Sequence, residues 1–268
     1  MNTIDRSRQI RNLILLCTFA YMASYITRIN YGAIIAEMEL ESGISRSQLS
    51  MALTGSFITY GAGQIISGIL GDRFSPKKLV STGFVITIIM NLLIPLCSDP
   101  YQMLSVWCVN GFAQSFMWPP LVRLMTSIMS SEEYARATVK VSWGSSFGTI
   151  FVYLVSPVII SVAGWKAVFV CSALIGVIML GVWNKFCCDV KREPAKTKSD
   201  TCTGSAGKVF TPVMICIMVA IILQGMLRDG VTTWMPTYIS ETYNLSSVIS
   251  ILTGVILPLF SILSFQVA

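Results

Sequence analysis

Gly68-Ile-Leu-Gly71-Asp72-Arg73-Phe-Ser-Pro-Lys77-Lys78 is a short charged connection between two long apolar runs. Upstream of it, Gly63, Ser67 and Gly71 recur every four residues. On a helix that spacing places them in one row, and a row of small residues lets a neighbouring helix come close. Asp72 stands at the helix end, where it can pair with a neighbouring Arg or accept from a helix N-terminus. Arg73, Lys77 and Lys78 hold the connection at a polar surface. A tight turn by itself asks for no such row of small residues, so two closely packed helices are expected here.

Outward from this connection the chain is apolar almost throughout. Of its 268 residues 54% are hydrophobic and 12% charged, against about 25% charged in a soluble domain. Lipid is therefore its solvent. A bilayer crossing takes about 20 mostly apolar residues. Eight stretches meet that length: Asn12–Ile35, Leu49–Leu70, Leu79–Leu96, Tyr101–Met125, Val139–Val162, Trp165–Phe186, Val209–Ile239 and Ser246–Ala268. They are too long and alternate too little to be barrel strands. The first run is too long for a signal peptide and no small-residue cleavage pattern follows it, so it is read as a span. The cysteines lack paired spacing and the chain has no histidine. They read as small apolar residues in a reducing compartment, and neither a metal nor a cofactor is expected.

Basic residues sort between alternate loops. Arg6, Arg8, Arg11, Arg73, Lys77, Lys78, Arg136 and Lys140 fall on one side, with Lys185, Lys191, Arg192, Lys196, Lys198 and Lys208 after the sixth span. The other side holds Arg46 and Lys166 beside Glu37, Glu39, Glu41, Asp99 and Glu241. The rich side belongs in the cytoplasm, so the N-terminus is expected there. The net charge of +6 is then membrane topology and calls for no nucleic acid. Residues 189–208 mix Lys, Glu, Pro, Thr, Ser and Gly and cannot fold alone. The expected organisation is a six-helix bundle over residues 1–188, a cytoplasmic linker over 189–208, and two spans of a second bundle over 209–268.

The loop from Gly68 to Lys78 resembles the cytoplasmic signature of the major facilitator superfamily, in which Gly68, Gly71, Asp72, Arg73, Lys77 and Lys78 belong to a gate. Glu132-Glu133-Tyr-Ala-Arg136 and Gly164-Trp165-Lys166 with Phe169 stand where that family would place them. The resemblance implies an all-α membrane protein with the major facilitator fold: the first six-helix bundle plus the first two helices of the second.

Arg28 and Arg228 lie well inside the first and seventh apolar runs. A charge at mid-span costs about 2.5–3.5 kcal/mol on insertion scales and marks a pathway. If the second half repeats the first, the two arginines meet across the repeat axis near the bilayer midplane. Guanidinium is planar, always charged, and binds carboxylate or phosphate with two parallel bonds. A small anionic substrate is expected between them. Asp229 follows Arg228 but points about 100° round the helix. Tyr21, Tyr25 and Arg28 share one helix face, and Tyr60 and Gln64 are one turn apart on the second span.

Tyr21-x3-Tyr25-x2-Arg28-Ile-Asn30, Tyr60-Gly61-x2-Gln64, Gly111-x2-Gln114-x3-Trp118-Pro119-Pro120-x2-Arg123, Trp143 and Leu227-Arg228-x-Gly230-x3-Trp234-x-Pro236-Thr237-Tyr238 together resemble the organophosphate:phosphate antiporters. That resemblance implies exchange of a phosphate ester for inorganic phosphate by alternating access, with Arg28 and Arg228 as the clamp and Tyr21, Tyr25 and Tyr60 in the pocket. Two positions depart from the pattern. Gln64 stands where those exchangers carry Lys, and Phe147 where they carry His. The pocket thus opens to a substrate of lower charge, a carboxylate or a sulfonate.

Two rival readings stay open. A proton-coupled carrier of another solute needs an intramembrane carboxylate, and Asp229 is the candidate. A membrane sensor of a phosphorylated metabolite needs the fold and the ligand site but no flux. No phosphate loop, metal cluster or nucleophile triad is present, so an enzyme is not expected. The last apolar run reaches Ala268 without a polar flank. A partial or frameshifted sequence is therefore expected, with an assembly of several copies or a non-functional remnant as alternatives. The partners expected are the lipid bilayer and the anion, and the oligomeric state stays open.

Overall fold

The computed structural model describes residues 3–71, 73–187, 212–243 and 247–267. The proposed linker over 189–208 and Asp72 lie outside the described residues, as do the side chains of Arg228 and Asp229. Among the described residues all regular structure is helical.

The helices are α1 (Thr3–Ala33), α2 (Ile35–Ser42), α3 (Arg46–Gly71), α4 (Pro76–Leu93), α5 (Pro100–Gln114), α6 (Trp118–Ile128), α7 (Ser131–Phe186), α8 (Pro212–Tyr243), α9 (Ser247–Thr253) and α10 (Ile256–Val267). Local chemistry sets several of these ends. α2 stops at Gly43, whose φ of 69° is left-handed and suits glycine. Ser75 caps α4 by accepting from the Lys78 N–H, and Pro76 occupies the first turn, where a missing N–H costs nothing. Asp99 caps α5 in the same way, with Pro100 behind it. Ser130 and Glu133 form a reciprocal capping box at the start of α7. The Ser130 backbone N–H donated to Glu133 holds that carboxyl below its usual range, and Arg6 adds an ion pair at 3.3 Å.

Among the described residues the eight expected apolar runs fall on these helices, with three differences. The first helix starts at Thr3, nine residues before the apolar run, because its cytoplasmic turns are polar. The fourth and eighth runs are each broken. Pro119 and Pro120 have no N–H to give the carbonyls of Ser115 and Phe116. The chain instead turns between α5 and α6, with the N–H groups of Ser115, Phe116 and Met117 reaching back three residues at 3.1–3.2 Å. Pro258 has the same effect on Gly254, where α9 gives way to α10. The fifth and sixth runs form one continuous element, α7, interrupted only at Gly164 with φ 73°. The Gly164-Trp165 pair therefore marks a left-handed corner between two spans.

The core has three levels. A first cluster joins Leu16, Phe84, Leu121, Met125, Val141 and Trp183. A second joins Tyr31, Met38, Leu49, Trp107, Tyr153 and Phe169. Between them in every contributing helix lies a polar level: Ser24, Thr27 and Asn30 on α1, Thr87 and Asn91 on α4, Asn110 and Gln114 on α5, all buried. Gln114 accepts from the Ser24 hydroxyl at 2.6 Å and donates to Thr27 and Thr87 at 3.0 and 3.3 Å. Asn91 accepts from Asn30 at 2.7 Å and donates to the carbonyls of Thr27 and Thr87. Lipid offers no hydrogen bonds, so these amides must find partners within the bundle.

Small residues let the helices approach. Gly144-Ser-Ser-Phe-Gly148 on α7 lies against the α1 backbone; a Cβ on Gly148 would stand 2.6 Å from the Met22 carbonyl. Gly63 faces α5 and the turn after it, 2.5 Å from Ser115 Oγ by the same measure. Gly111 on α5 lies against the carbonyl of Ser56 on α3, where a Cβ has no room. Gly111→Ala is expected to part these helices at a cost of about 1–3 kcal/mol. Thermal unfolding in detergent checks this, and an unchanged Tm counts against the seam.

Candidate functional site

One cavity of about 80 Å3 opens at the level of the polar layer. A single water needs only about 10–15 Å3 of such space, so the cavity has room for a small anion. Arg28, Tyr25, Ile29 and Gly32 of α1 line it, with Ser56 of α3 and Ser145, Ser146 and Thr149 of α7. Thr232 and Thr233 of α8 and Ser261 of α10 complete it on the far side. The first six spans thus supply one wall and the following pair supplies the other.

Arg28 is held by aromatic faces. Its Cζ lies 4.0 Å from the Tyr60 ring centroid and 5.7 Å from that of Tyr25. Tyr25 meets Tyr21 edge-on at 5.0 Å, and Tyr21 lies 4.9 Å from Trp118. A ladder therefore runs from Trp118 on α6 through Tyr21, Tyr25 and Arg28 on α1 to Tyr60 on α3. Cation–π contact is worth about 2 kcal/mol where water is excluded. It offsets part of the cost of holding the charge at this depth.

The sequence-derived residues divide accordingly. Arg28 and Tyr25 line the cavity. Tyr60 lies under Arg28 and Tyr21 lies behind Tyr25, and neither lines it. Gln64 is half-buried one turn beyond Tyr60, also outside the lining. Arg228 is on α8, four residues before Thr232. Phe147 is 45% exposed and is not among the residues that line the cavity. Ser145, Ser146 and Thr149 occupy that wall instead. Single hydroxyls inside an apolar run carry little signal, which is why the sequence did not single them out. The buried amides Asn91, Asn110 and Gln114 carried a clearer one, as polar groups in membrane spans.

At the loop from Gly68 to Lys78, Gly71 is buried and a Cβ on it would lie 3.6 Å from Arg123 NH1 of α6. Gly68, Arg73 and Lys78 are exposed. Lys77 donates to the Cys187 carbonyl at 2.8 Å, and the Trp183 indole donates to the Lys77 carbonyl at 3.2 Å. The motif thus ties the start of α4 to the end of α7.

Two contacts join the walls of the cavity. Tyr153 donates to the Thr232 carbonyl at 2.7 Å, and its ring fills the space beside Gly254. Gly32 packs on Thr233, with 3.0 Å from a Cβ position to Cγ2.

The sequence profile of the Major Facilitator Superfamily matches residues 17–268. The chain belongs to the Major Facilitator Superfamily. Solved structures with this superfamily's fold include a bacterial homolog of the human lysosomal transporter Spinster in an inward-facing, occupied conformation. It superposes with a TM-score of 0.73 at 15% identity, over 92% of this chain and 58% of that one. A D-xylose–proton symporter superposes with a TM-score of 0.66 at 12% identity, over 94% of this chain and 66% of that one. At those identities the likeness is one of fold. Among curated relatives, a probable hexose phosphate transport protein of Chlamydia muridarum is 29% identical over 60% of this chain and 35% of its own length. The glycerol-3-phosphate transporter of Bacillus subtilis is 30% identical over 59% of this chain and 37% of its own. The membrane sensor protein UhpC of Escherichia coli is 22% identical over 87% of this chain and 57% of its own. The chain therefore spans between a third and three-fifths of the length of these relatives. It is a multi-pass membrane protein with the first bundle of the major facilitator fold and the two spans that follow.

Gln114→Leu takes the acceptor from the Ser24 hydroxyl and the donor from Thr27 and Thr87, and a loss of about 1–3 kcal/mol is expected. Gln64→Leu, at a half-buried position, is the comparison. Thermal unfolding in detergent is expected to show a clear fall in Tm for the first variant and little for the second. Equal effects would remove the polar layer as a source of stability.

Proposed function

We propose that the protein is a secondary carrier of the cell membrane that moves a small organic anion, a phosphate ester, in exchange for inorganic phosphate. The observation that carries this is Arg28, a fixed positive charge lining a mid-depth cavity whose walls come from both parts of the chain. The likeness to hexose phosphate and glycerol-3-phosphate transporters supports a phosphate ester as the cargo.

In this reading the N-terminus is cytoplasmic, following the basic loops. α1 then runs outward, and the contacts of Gly32 and Tyr153 with α8 lie on the outer side of Arg28. These contacts join the two parts on that side, as one of the two states of alternating access requires. Arg28 and Arg228 share the anion and draw the two parts together. Two guanidinium groups repel as the parts approach, and a bound anion offsets that repulsion. The loaded carrier returns more readily than the empty one, and that asymmetry makes it an exchanger.

A second reading is favoured by one observation: the match to a membrane sensor protein extends over 87% of this chain. The same pocket would then bind a phosphorylated metabolite and report it, without flux.

Both readings place the anion on Arg28. Arg28→Lys keeps the charge and loses the planar fork. Inorganic phosphate binding by the purified protein is expected to weaken at least about tenfold. Unchanged affinity would take Arg28 out of the site.

A further inference from the structure

The hydroxyl groups around the cavity are not equivalent to free alcohols. Ser145 donates to the Ser142 carbonyl at 2.7 Å and Thr149 to the Ser145 carbonyl at 2.9 Å, both along α7. Ser261 donates to the Leu257 carbonyl at 3.0 Å on α10. Each line the same cavity as Arg28. A hydroxyl has one proton to give and two lone pairs. These three have given theirs to helix carbonyls, and turning it away would break a bond that lipid-depth surroundings cannot replace. What they present to the cavity is an acceptor.

An oxyanion is acceptor-only and gains nothing from these three oxygens. Arg28 places a positive charge on the α1 wall of the same cavity. Ser145, Thr149 and Ser261 form an acceptor patch on α7 and α10. A ligand that satisfies both carries an anionic group together with O–H donors on its body.

We infer that Ser145, Thr149 and Ser261 are specificity-determining residues, which accept hydrogen bonds from hydroxyl groups on the body of the substrate while Arg28 holds its anionic end. This rests on the reading of the cavity as a phosphate-ester site. It goes beyond it by assigning the recognition of the ester's body to three side chains. Phe147 takes no part, and selection at this wall is made by neutral oxygens.

The test compares glycerol 3-phosphate with n-propyl phosphate, which has the same charge and a similar length but no free hydroxyl. Affinities are measured by titration of the purified full-length protein in detergent. Glycerol 3-phosphate is expected to bind about tenfold more tightly, the worth of one good hydrogen bond inside a dry site. The preference is expected to fall to near unity in the triple variant S145A/T149V/S261A and to survive in Thr149→Ser, which keeps the oxygen. Equal affinity for the two esters in the unaltered protein overturns the inference and needs no variant to be folded. A preference that persists in the triple variant overturns it as well. If the unaltered protein binds neither ester nor inorganic phosphate, the phosphate-carrier reading itself fails and takes the inference with it. If inorganic phosphate binds and the esters are not distinguished, the inference alone fails.

Discussion

A guanidinium inside a bilayer must be given its surroundings by the protein, and much of this structure follows from that constraint on Arg28. Lipid supplies neither water nor counter-charge. The chain answers with the faces of Tyr25 and Tyr60, with a cavity at the depth of the charge, and with a buried layer of amides and hydroxyls on α1, α4 and α5. The apolar clusters above and below that layer keep it at mid-depth. Each contributing helix changes from apolar to polar and back at the same level, which sets the helices in register.

The same level is where the two parts of the chain meet. Ser145, Ser146 and Thr149 interrupt the apolar run of α7 between Val141 and Val152, opposite the stretch of α1 that holds Arg28. Gly144 and Gly148 bring the two backbones together there, so that short hydroxyl side chains can reach a cavity that larger ones would fill. Further along both helices, Tyr153 and Gly32 make contact with α8 and with the turn at Gly254.

The fold was largely legible because lipid imposes a simple rule on sequence. Long apolar runs separated by charged loops marked the eight runs that fall, where described, on helices, and the row Gly63, Ser67, Gly71 predicted a close helix neighbour without saying that it is the fourth run. Proline chemistry was legible as well, yet Pro119, Pro120 and Pro258 were not used to place the breaks they cause. Arg28 announced itself as a charge where none is affordable. Its neighbours did not: Tyr21, Tyr25 and Tyr60 share a pattern in sequence, but only Tyr25 reaches the cavity. Whether an aromatic ring lines a pocket or supports a charge from behind depends on the angle between helices, which no single helix face records. The hydroxyl wall was invisible for a related reason, since serine and threonine are tolerated anywhere on a membrane helix through bonds to their own backbone.

The central claim is that Arg28 and Arg228 hold one anion between them. A double-mutant cycle tests it most directly. Inorganic phosphate affinity is measured by titration for the unaltered full-length protein, for Arg28→Gln, for Arg228→Gln and for the pair. Residues that share a ligand couple, while independent sites add within about 0.3–0.5 kcal/mol. The account predicts strong coupling, with the double variant losing little beyond either single one. Losses that simply add would put the two arginines at separate sites and contradict it.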